Sequence, residues 1–308
     1  MSETGLSVKL DLLDRVDAPK FLVGLIGDGI QESLSPLLHE AEGAQQGLRL
    51  HYHLVDLADE PDGPAALPAL LKAAARLKFR GLNITYPCKQ AVIPLLDGLS
   101  EDAAAIGAVN TVVIEEGRFV GHNTDWSGFA RSFEHALPDV PLERVALVGA
   151  GGAGAAVAHA IFKLGARRLT IVDADQVRAG ALAQSLAKRF PNAWVEIVMN
   201  ASEAVREAQG LIQATPMGMA KNPGMPIEES ALTHRPWVAE VVYFPIETEL
   251  LKAARRHGCQ VVDGGGMAVG QAIGAFELFT GREADAARMD AHFRRLLENK
   301  AKATPSAP

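Results

Sequence analysis

Four glycines crowd one turn near the centre of the chain: Gly149, Gly151, Gly152 and Gly154, with Ala153 among them. Gly149, Gly151 and Gly154 have the spacing G-x-G-x-x-G. An apolar run, 145–148, comes before the turn. A small-residue segment over 155–164 follows and is broken at Gly165. A second apolar run, 169–172, ends on Asp173, nineteen positions past Gly154. That order predicts strand, turn, helix, strand and acid, the arrangement a dinucleotide requires. Gly149 permits the tight turn, Gly151 lets a pyrophosphate approach the backbone, and Gly154 lets helix and strand pack closely. The helix N-terminus offers N–H groups and partial positive charge to the phosphates. Asp173 would accept hydrogen bonds from ribose hydroxyls and repel a 2′-phosphate, which predicts NAD rather than NADP. A ligand-free glycine turn is the plainer alternative, and it does not explain so many small residues together. Asp173 taken alone also fits a helix cap or a solvated strand end.

A nicotinamide site further needs a proton donor and acceptor and groups that hold the substrate. The first half of the chain places short polar residues in loops after apolar runs: Ser33 and Ser35, Thr85 and Lys89, Asn110, and Asn123 with Asp125. Several strand ends presenting such groups predict a pocket for a polyhydroxylated small molecule. Lys89 and Asp125 stand out as one cation and one carboxylate, able to hold a proton-transfer geometry together. Each also has a bland reading. A lysine at a helix start is commonly solvated, Asp125 before Trp126 fits an N-cap, and Asn83 and Asn110 can satisfy local backbone. His39, His51, His53, His122 and His159 show no metal-ligand spacing and read as structural. Met217, Met219 and Met267 fit gap-filling.

The positioning elements follow from pattern. The run 21–27 reads as a buried strand, and Ser35-Pro36 as the cap and first turn of a helix over 37–46. Strands are expected over 50–57, 79–85, 110–115 and 118–121, with helices over 65–77, 88–96 and 101–106. A helix over 126–136 and the linker 137–141 lead into the second half. There, beyond Asp173, helices are expected over 177–190, 201–208 and 249–257, the last capped by Thr248. Strands are expected over 194–199, 210–214, 237–242 and 260–262. Thr215-Pro216-Met217-Gly218-Met219 forms a loop at a strand's carboxyl end, where open α/β sheets bind ligands. The run 263–267 reads as another such loop, before helices over 268–280 and 285–300. Residues 1–19 read as an extension and 301–308 as a disordered tail.

The chain has 308 residues, which predicts about two domains. It is 48% hydrophobic and 22% charged, the balance of a soluble globular protein. A net charge of −7 without a basic cluster argues against nucleic-acid binding. No apolar run reaches the roughly 18 residues of a membrane span. The polar, acidic N-terminus does not read as a targeting peptide. The two cysteines, Cys88 and Cys259, have neither metal nor disulfide spacing. A reducing cytoplasm is the expected location, and no metal is expected.

Longer stretches carry a resemblance. They are SLSPLLH at 33–39, GLNITYPCK at 81–89, IGAVNTVV at 106–113 and GHNTDWSGF at 121–129. They continue with VGAGGAG at 148–154, ATPMGM at 214–219, VVYFPIETELLKAA at 241–254 and DGGGMAVGQAIGAFELFTG at 263–281. In order and spacing the chain resembles the shikimate dehydrogenase family, which includes the quinate/shikimate dehydrogenases. The resemblance implies an α/β fold with an N-terminal substrate domain, a C-terminal Rossmann domain for the nucleotide, and C-terminal helices returning to the first domain. The corresponding spans are 1–127 with 268–308, and 128–267.

By the same resemblance, Lys89 and Asp125 match the catalytic pair. Ser33, Ser35, Thr85, Asn110 and Gln271 match residues that hold the hydroxyls and carboxylate of a cyclic polyol carboxylate, and Tyr243 matches a substrate-side tyrosine. Thr215, Pro216, Met217, Gly264 and Met267 match positions around the nicotinamide. Many members carry Asn-Arg-Thr after the second Rossmann strand, which suits NADP. This chain has Asp173-Ala174-Asp175 with Arg178 beyond, similar to the NAD-preferring, quinate-using branch. The expected activity is NAD-dependent interconversion of shikimate or quinate with the 3-dehydro acid, by a monomer or homodimer. A member specialised for an aminated analogue, and a weakly catalytic nucleotide sensor, are the alternatives.

Overall fold

The computed structural model describes residues 17–303. The extension expected over 1–19 lies outside them apart from its last three residues, as does the tail beyond 303. The described residues divide into two compact units. One holds the residues up to Ala104, Ala108–Thr124 and those from Ala272 on; the other holds Ala105–Gly107 and Asp125–Gln271.

The first unit is built on a mixed sheet. Its strands are β1 (Lys20–Gly27), β2 (Arg49–Asp56), β3 (Gly81–Ile84), β4 (Gly98–Leu99), β5 (Thr111–Glu115) and β6 (Arg118–His122), in the order β2-β1-β3-β5-β6-β4. β1 runs parallel to both β2 and β3, and its apolar run 21–27 suits that inner position. β5 is antiparallel to β3 and β6, so the Glu116-Gly117 turn joins a hairpin. Helices α1 (Ser35–Gln45), α2 (Leu67–Arg76), α3 (Cys88–Ala91) and α4 (Glu101–Ile106) connect these strands. Ile26, Leu71, Leu82, Ile84 and Val112 are among the buried residues of this core.

The second unit is an all-parallel sheet of β7 (Arg144–Val148), β8 (Arg168–Val172), β9 (Trp194–Ile197), β10 (Gly210–Gln213), β11 (Trp237–Glu240) and β12 (Val261–Val262). Their order is β12-β11-β10-β7-β8-β9, so the third strand of the unit lies at one edge and the chain reverses direction across the sheet between β7 and β10. That is the doubly wound order of dinucleotide-binding folds. Helices α5 (Asp125–Ala136), α6 (Gly152–Lys163), α7 (Gln176–Arg189), α8 (Ala201–Arg206) and α9 (Glu249–Arg256) belong to this unit. Helix α10 (Gly264–Thr280) gives its first part to the second unit and its remainder to the first, where α11 (Ala286–Ala303) follows. No helix among the described residues is long and apolar enough to cross a membrane.

Several local expectations are corrected. Ser35 does not cap α1: it is the helix's first residue, and the capping position is Leu34, with no side-chain bond. Ser33 acts instead, its Oγ accepting the Ser35 N–H at 3.2 Å. The helix expected over 88–96 stops at Ala91 and tightens into a 3₁₀ turn, Ile93–Leu95, because Pro94 supplies no N–H. The run 263–267 is not a loop beyond Asp263. The Asp263 carboxylate accepts the Gly265 N–H at 2.9 Å, and α10 begins at Gly264 despite three successive glycines. Close packing explains the outer two: a Cβ on Gly264 would clash with the Val241 carbonyl, and one on Gly266 with Ser132 Oγ. The tail expected from 301 is still helical to Ala303. Thr248 does cap α9, accepting the Leu251 N–H at 3.2 Å.

Candidate active site

In the first unit the loops that follow the strands are tied together by buried polar side chains. Asn110 ends the loop before β5 and is 3% exposed. Its Oδ1 accepts the Thr124 N–H at 2.7 Å, and its Nδ2 donates to Thr124 Oγ1 at 2.9 Å. The Thr111 hydroxyl donates to the same Oδ1 at 3.1 Å. Asn83, on β3, donates through Nδ2 to Thr111 Oγ1 at 3.0 Å and to the Asn110 carbonyl at 3.3 Å. Its own Oδ1 accepts the Tyr52 hydroxyl at 2.8 Å. Tyr52 is wholly buried, and burial pushes its phenol up, with a hydrogen bond from the Ser35 side chain opposing the shift. Helix α1, strands β2, β3 and β5, and the segment ending at Thr124 thus meet in one network.

Backbone bonds place the remaining first-unit residues around it. The Thr85 N–H donates to Ile26, and the Cys88 N–H to Thr85, at 2.9 and 2.8 Å. The Lys89 carbonyl accepts the Val109 N–H at 2.8 Å, fixing the start of α3 to the loop that carries Asn110. Asp56 holds the loop after β1 by accepting the N–H groups of Gly29 and Ile30 at 2.7 and 3.0 Å. Ser33, Ser35, Thr85, Lys89 and Asn110 therefore share one unit, and Thr85 and Lys89 are half-buried. Asn83 does more than serve nearby backbone, since its partners come from two other segments, Tyr52 on β2 and the Asn110-Thr111 pair.

In the second unit the glycine turn leaves β7 and enters α6. Gly149 has φ +104°, in the left-handed region, and a Cβ there would lie 2.7 Å from the Ala214 carbonyl group. A Cβ on Gly154 would come within 2.0 Å of the Gly149 carbonyl oxygen. A Cβ on Gly151 would meet no atom within 4 Å. Gly151 is the N-cap, so no side chain caps the first turn. These features fit a pyrophosphate: the turn is as tight as glycine allows, and its Gly151 face is open to a ligand's approach.

Asp173 follows β8, and its carboxylate closes the turn by accepting the Ala150 N–H at 2.6 Å. It also accepts the Asp175 N–H at 2.8 Å and pairs with Arg178, Nη2 to Oδ1 at 2.7 Å. Burial alone would raise this carboxyl, but Arg178 and the two amides outweigh burial and hold it below the usual range. Thr215, Pro216 and Met217 lie in the loop after β10, and Tyr243 and Met217 are exposed. Gly264 and Met267 open α10 and are buried. Asp125, 6% exposed, opens α5, and Gln271 donates to the Ala268 carbonyl at 3.0 Å. Asp125, Tyr243 and Gln271 belong by their contacts to the second unit.

Tyr52, Thr111, Thr124, Gln213 and Glu240 are buried polar residues that the motifs did not single out. For Tyr52 a signal exists: in the alternating run of β2 it falls on the buried face, where a phenol needs a partner.

Comparison with known proteins covers residues of both units. Residues 25–112 match the family model of the shikimate dehydrogenase substrate binding domain, and 264–292 that of the shikimate 5′-dehydrogenase C-terminal domain. Residues 129–207, which hold the glycine turn, match the ThiF family. A shikimate dehydrogenase (NADP(+)) of Streptomyces avermitilis is 56% identical over 271 residues, 87% of this chain and 93% of the relative. A quinate/shikimate dehydrogenase (NAD(+)) of Corynebacterium efficiens is 49% identical over 88% of this chain and 97% of its own length. Among solved structures, quinate dehydrogenase from Corynebacterium glutamicum in complex with NAD is 48% identical with a TM-score of 0.85, covering 90% of this chain and 99% of that one. The chain belongs to the shikimate dehydrogenase family.

Proposed function

We propose that this protein is an NAD-dependent dehydrogenase of the cytoplasm that interconverts shikimate with 3-dehydroshikimate, quinate with 3-dehydroquinate, or both. The observation that carries this reading is Asp173: in a member of this family, its carboxylate closes a tight glycine turn where an adenosine ribose would lie. A carboxylate accepts from the ribose hydroxyls and opposes a 2′-phosphate. Relatives carry both NAD(+) and NADP(+) in their names, so the preference is argued from this chain's own residues. Arg178 beside Asp173 tempers the discrimination and leaves NADP a measurable second cofactor.

Gly149, Gly151, Gly152, Ala153 and Gly154 would hold the pyrophosphate, Asp173 and Arg178 the adenosine ribose, and Thr215, Pro216, Met217, Gly264 and Met267 the nicotinamide. When bound, that nicotinamide supplies the acceptor and donor of hydride. Ser33, Ser35, Thr85, Asn110, Tyr243 and Gln271 bind the ring hydroxyls and carboxylate and orient the reacting carbon. Lys89 moves the proton at the reacting oxygen. In oxidation its amine takes the hydroxyl proton as charge develops on that oxygen, and in reduction its ammonium returns it. Asp125 is the second member of the catalytic pair that the family resemblance implies. Residues 1–127 with 268–308 form the substrate-binding part, and 128–267 the nucleotide-binding part.

The test is a matrix of initial rates, shikimate and quinate each with NAD and NADP, read by absorbance of the reduced nicotinamide. Turnover of at least one acid with NAD, at a higher kcat/KM than with NADP, is expected. Silence in all combinations while NAD still binds would replace this reading with that of a nucleotide sensor.

A further inference from the structure

Two buried side chains stand next to each other at the carboxyl ends of β10 and β11. Gln213 and Glu240 are the last residues of these parallel strands and face each other in register. They are 0% and 2% exposed. Neither belongs to the groups assigned above to nucleotide or substrate.

Gln213 uses both ends of its amide on the loop after β10. Nε2 donates to the Thr215 carbonyl at 3.1 Å and to the Met217 carbonyl at 2.7 Å. Oε1 accepts the Thr215 N–H at 3.0 Å and the Thr215 hydroxyl at 2.9 Å. Thr215 Oγ1 in turn accepts the Met217 N–H at 3.2 Å. One side chain thereby sets the path of the loop through Met217. Gly218 follows with φ +99°, and a Cβ there would lie 3.9 Å from Glu240 Oε2.

Glu240 does the same for the next loop. Its Oε1 accepts the Val242 N–H at 3.0 Å, and its Oε2 accepts the Thr248 hydroxyl at 3.0 Å. Thr248 caps α9, so the carboxylate fastens both ends of the segment that carries Tyr243. Burial pushes this carboxyl up to about 7, and the groups that oppose the shift are all neutral: the Val241 and Val242 amides and the Thr248 hydroxyl. A buried carboxylate without a cation is unfavourable for folding. A glutamine of the same shape would avoid that cost, so stability does not account for an acid here.

We propose that Gln213 and Glu240 are a pair of positioning residues that set, from neighbouring strand ends, the two loops presenting Met217 and Tyr243 to the reaction. The proposal rests on the reading of Met217 as a nicotinamide-side residue and Tyr243 as a substrate-side one. Glu240 acts through its acceptor oxygens, and Gln213 through its fixed donor and acceptor.

The test uses the full chain with Glu240→Gln and Gln213→Met, both close in shape to the native residues. Kinetics are measured from about pH 6 to about pH 9 with shikimate, quinate and NAD. For E240Q we expect an unfolding midpoint no lower than wild type, and kcat/KM for the acid reduced about tenfold above neutrality. The inflection near neutrality in the wild-type profile should disappear, since deprotonation of Glu240 is what completes the Thr248 clasp. For Q213M we expect KM for NAD to rise about tenfold with a smaller change for the acid. Wild-type constants and profile in both variants would overturn the proposal while leaving the assigned reaction intact. If the wild-type protein turns over neither acid, the reaction assignment fails and hydrogen exchange decides the positioning role. Exchange at the Thr215 and Met217 amides of Q213M and the Val242 amide of E240Q should then accelerate about tenfold; unchanged exchange would overturn it.

Discussion

Arg178 reaches back from the first turn of α7 to grip Asp173, with Nη2 2.7 Å from Oδ1 and Nε 3.3 Å from Oδ2. The carboxylate side chain is 6% exposed and the guanidinium 50% exposed. A 2′-phosphate approaching this pair meets repulsion from one partner and attraction from the other. At the surface of a protein each such interaction amounts to roughly 4 kcal/mol at about 4 Å, so the two largely offset and the margin for NAD is modest. Asp173→Asn keeps an acceptor for the Ala150 N–H and removes the charge. It should lower the NAD-to-NADP ratio of kcat/KM by about tenfold, close to 1.4 kcal/mol. Arg178→Ala should raise that ratio by a similar factor. The two substitutions must move the ratio in opposite directions; a common direction would show that the pair does not read the 2′ position.

The main chain of Lys89 is fixed to the residue before Asn110, its carbonyl accepting the Val109 N–H at 2.8 Å. Because that anchor is main chain, Lys89→Met removes the amine without releasing the loop. Loss of a proton-transfer group typically lowers turnover by about 10²–10⁴-fold. We expect kcat to fall into that range for Lys89→Met while the dissociation constant for NAD, followed by fluorescence titration, stays within about twofold. Under the proposed reading Lys89, not Asp125, carries the proton, so Asp125→Asn should lower kcat by a smaller factor, on the order of tenfold to a hundredfold. Near-native turnover in Lys89→Met would remove it from the chemistry.

What was legible in the residues depended on how far away the physical cause lay. The turn at Gly149–Gly151–Gly154 could be read because each glycine answers a steric demand from the same strand-turn-helix unit. A Cβ on Gly154 meets the Gly149 carbonyl five positions earlier. The Thr248 cap was legible for the same reason, its acceptor and the Leu251 N–H lying three positions apart. Ser35 misled because Ser-Pro at a helix start satisfies a local rule, while its hydroxyl goes to Tyr52 on a different element. The glycines of α10 misled in the opposite sense: low helix propensity is outweighed where Val241 and Ser132 leave no room for a Cβ. Tyr52 and Asn83 lie 31 positions apart and meet only because β1 stands between β2 and β3 in the sheet. Gln213 and Glu240 fall inside the strands expected over 210–214 and 237–242, and it is strand order that makes them neighbours. The fold class and the dinucleotide turn thus come from local pattern, and the polar network around Asn110 comes from topology.

That network makes Tyr52→Phe informative. The substitution keeps the ring and removes the hydroxyl that donates to Asn83 Oδ1 and meets the Ser35 side chain. Asn83 is 6% exposed, so its oxygen cannot turn to solvent without moving the amide that holds Thr111 and the Asn110 carbonyl. Leaving one buried acceptor unsatisfied costs about 1–3 kcal/mol. A drop of that size in urea-measured stability is expected, with KM for shikimate or quinate rising several-fold and the dissociation constant for NAD unchanged. Equal stability of Tyr52→Phe and wild type would mean that the phenol does not tie these strands together.

His39 sits one turn along α1 from Ser35 and is fully buried, with neither ring nitrogen hydrogen-bonded. Its ring lies 4.9 Å from that of Tyr52 and about 6 Å from those of Phe276 and Phe279. Burial lowers its pKa from 6.5 to about 3. In the unfolded chain the imidazole binds a proton near its ordinary value, whereas in the folded chain it does not until far lower pH. The unfolded state therefore holds more protons across this window, and stability rises with pH through it. The contribution is complete above about 6.5 and is lost as pH falls toward about 3. His39→Leu removes the titration together with two unsatisfied nitrogens, at the cost of a less exact fit among the aromatic rings. Unfolding free energies of wild type and variant should be similar at about pH 8. At about pH 5 the variant should be favoured by a further 2 kcal/mol or so, the linkage value for these two pKa values. Glu240, raised to about 7, acts in the opposite sense but is present in both proteins and cancels in the comparison. Parallel pH dependences for the two proteins between about pH 8 and about pH 5 would show that His39 finds a polar partner or water in solution.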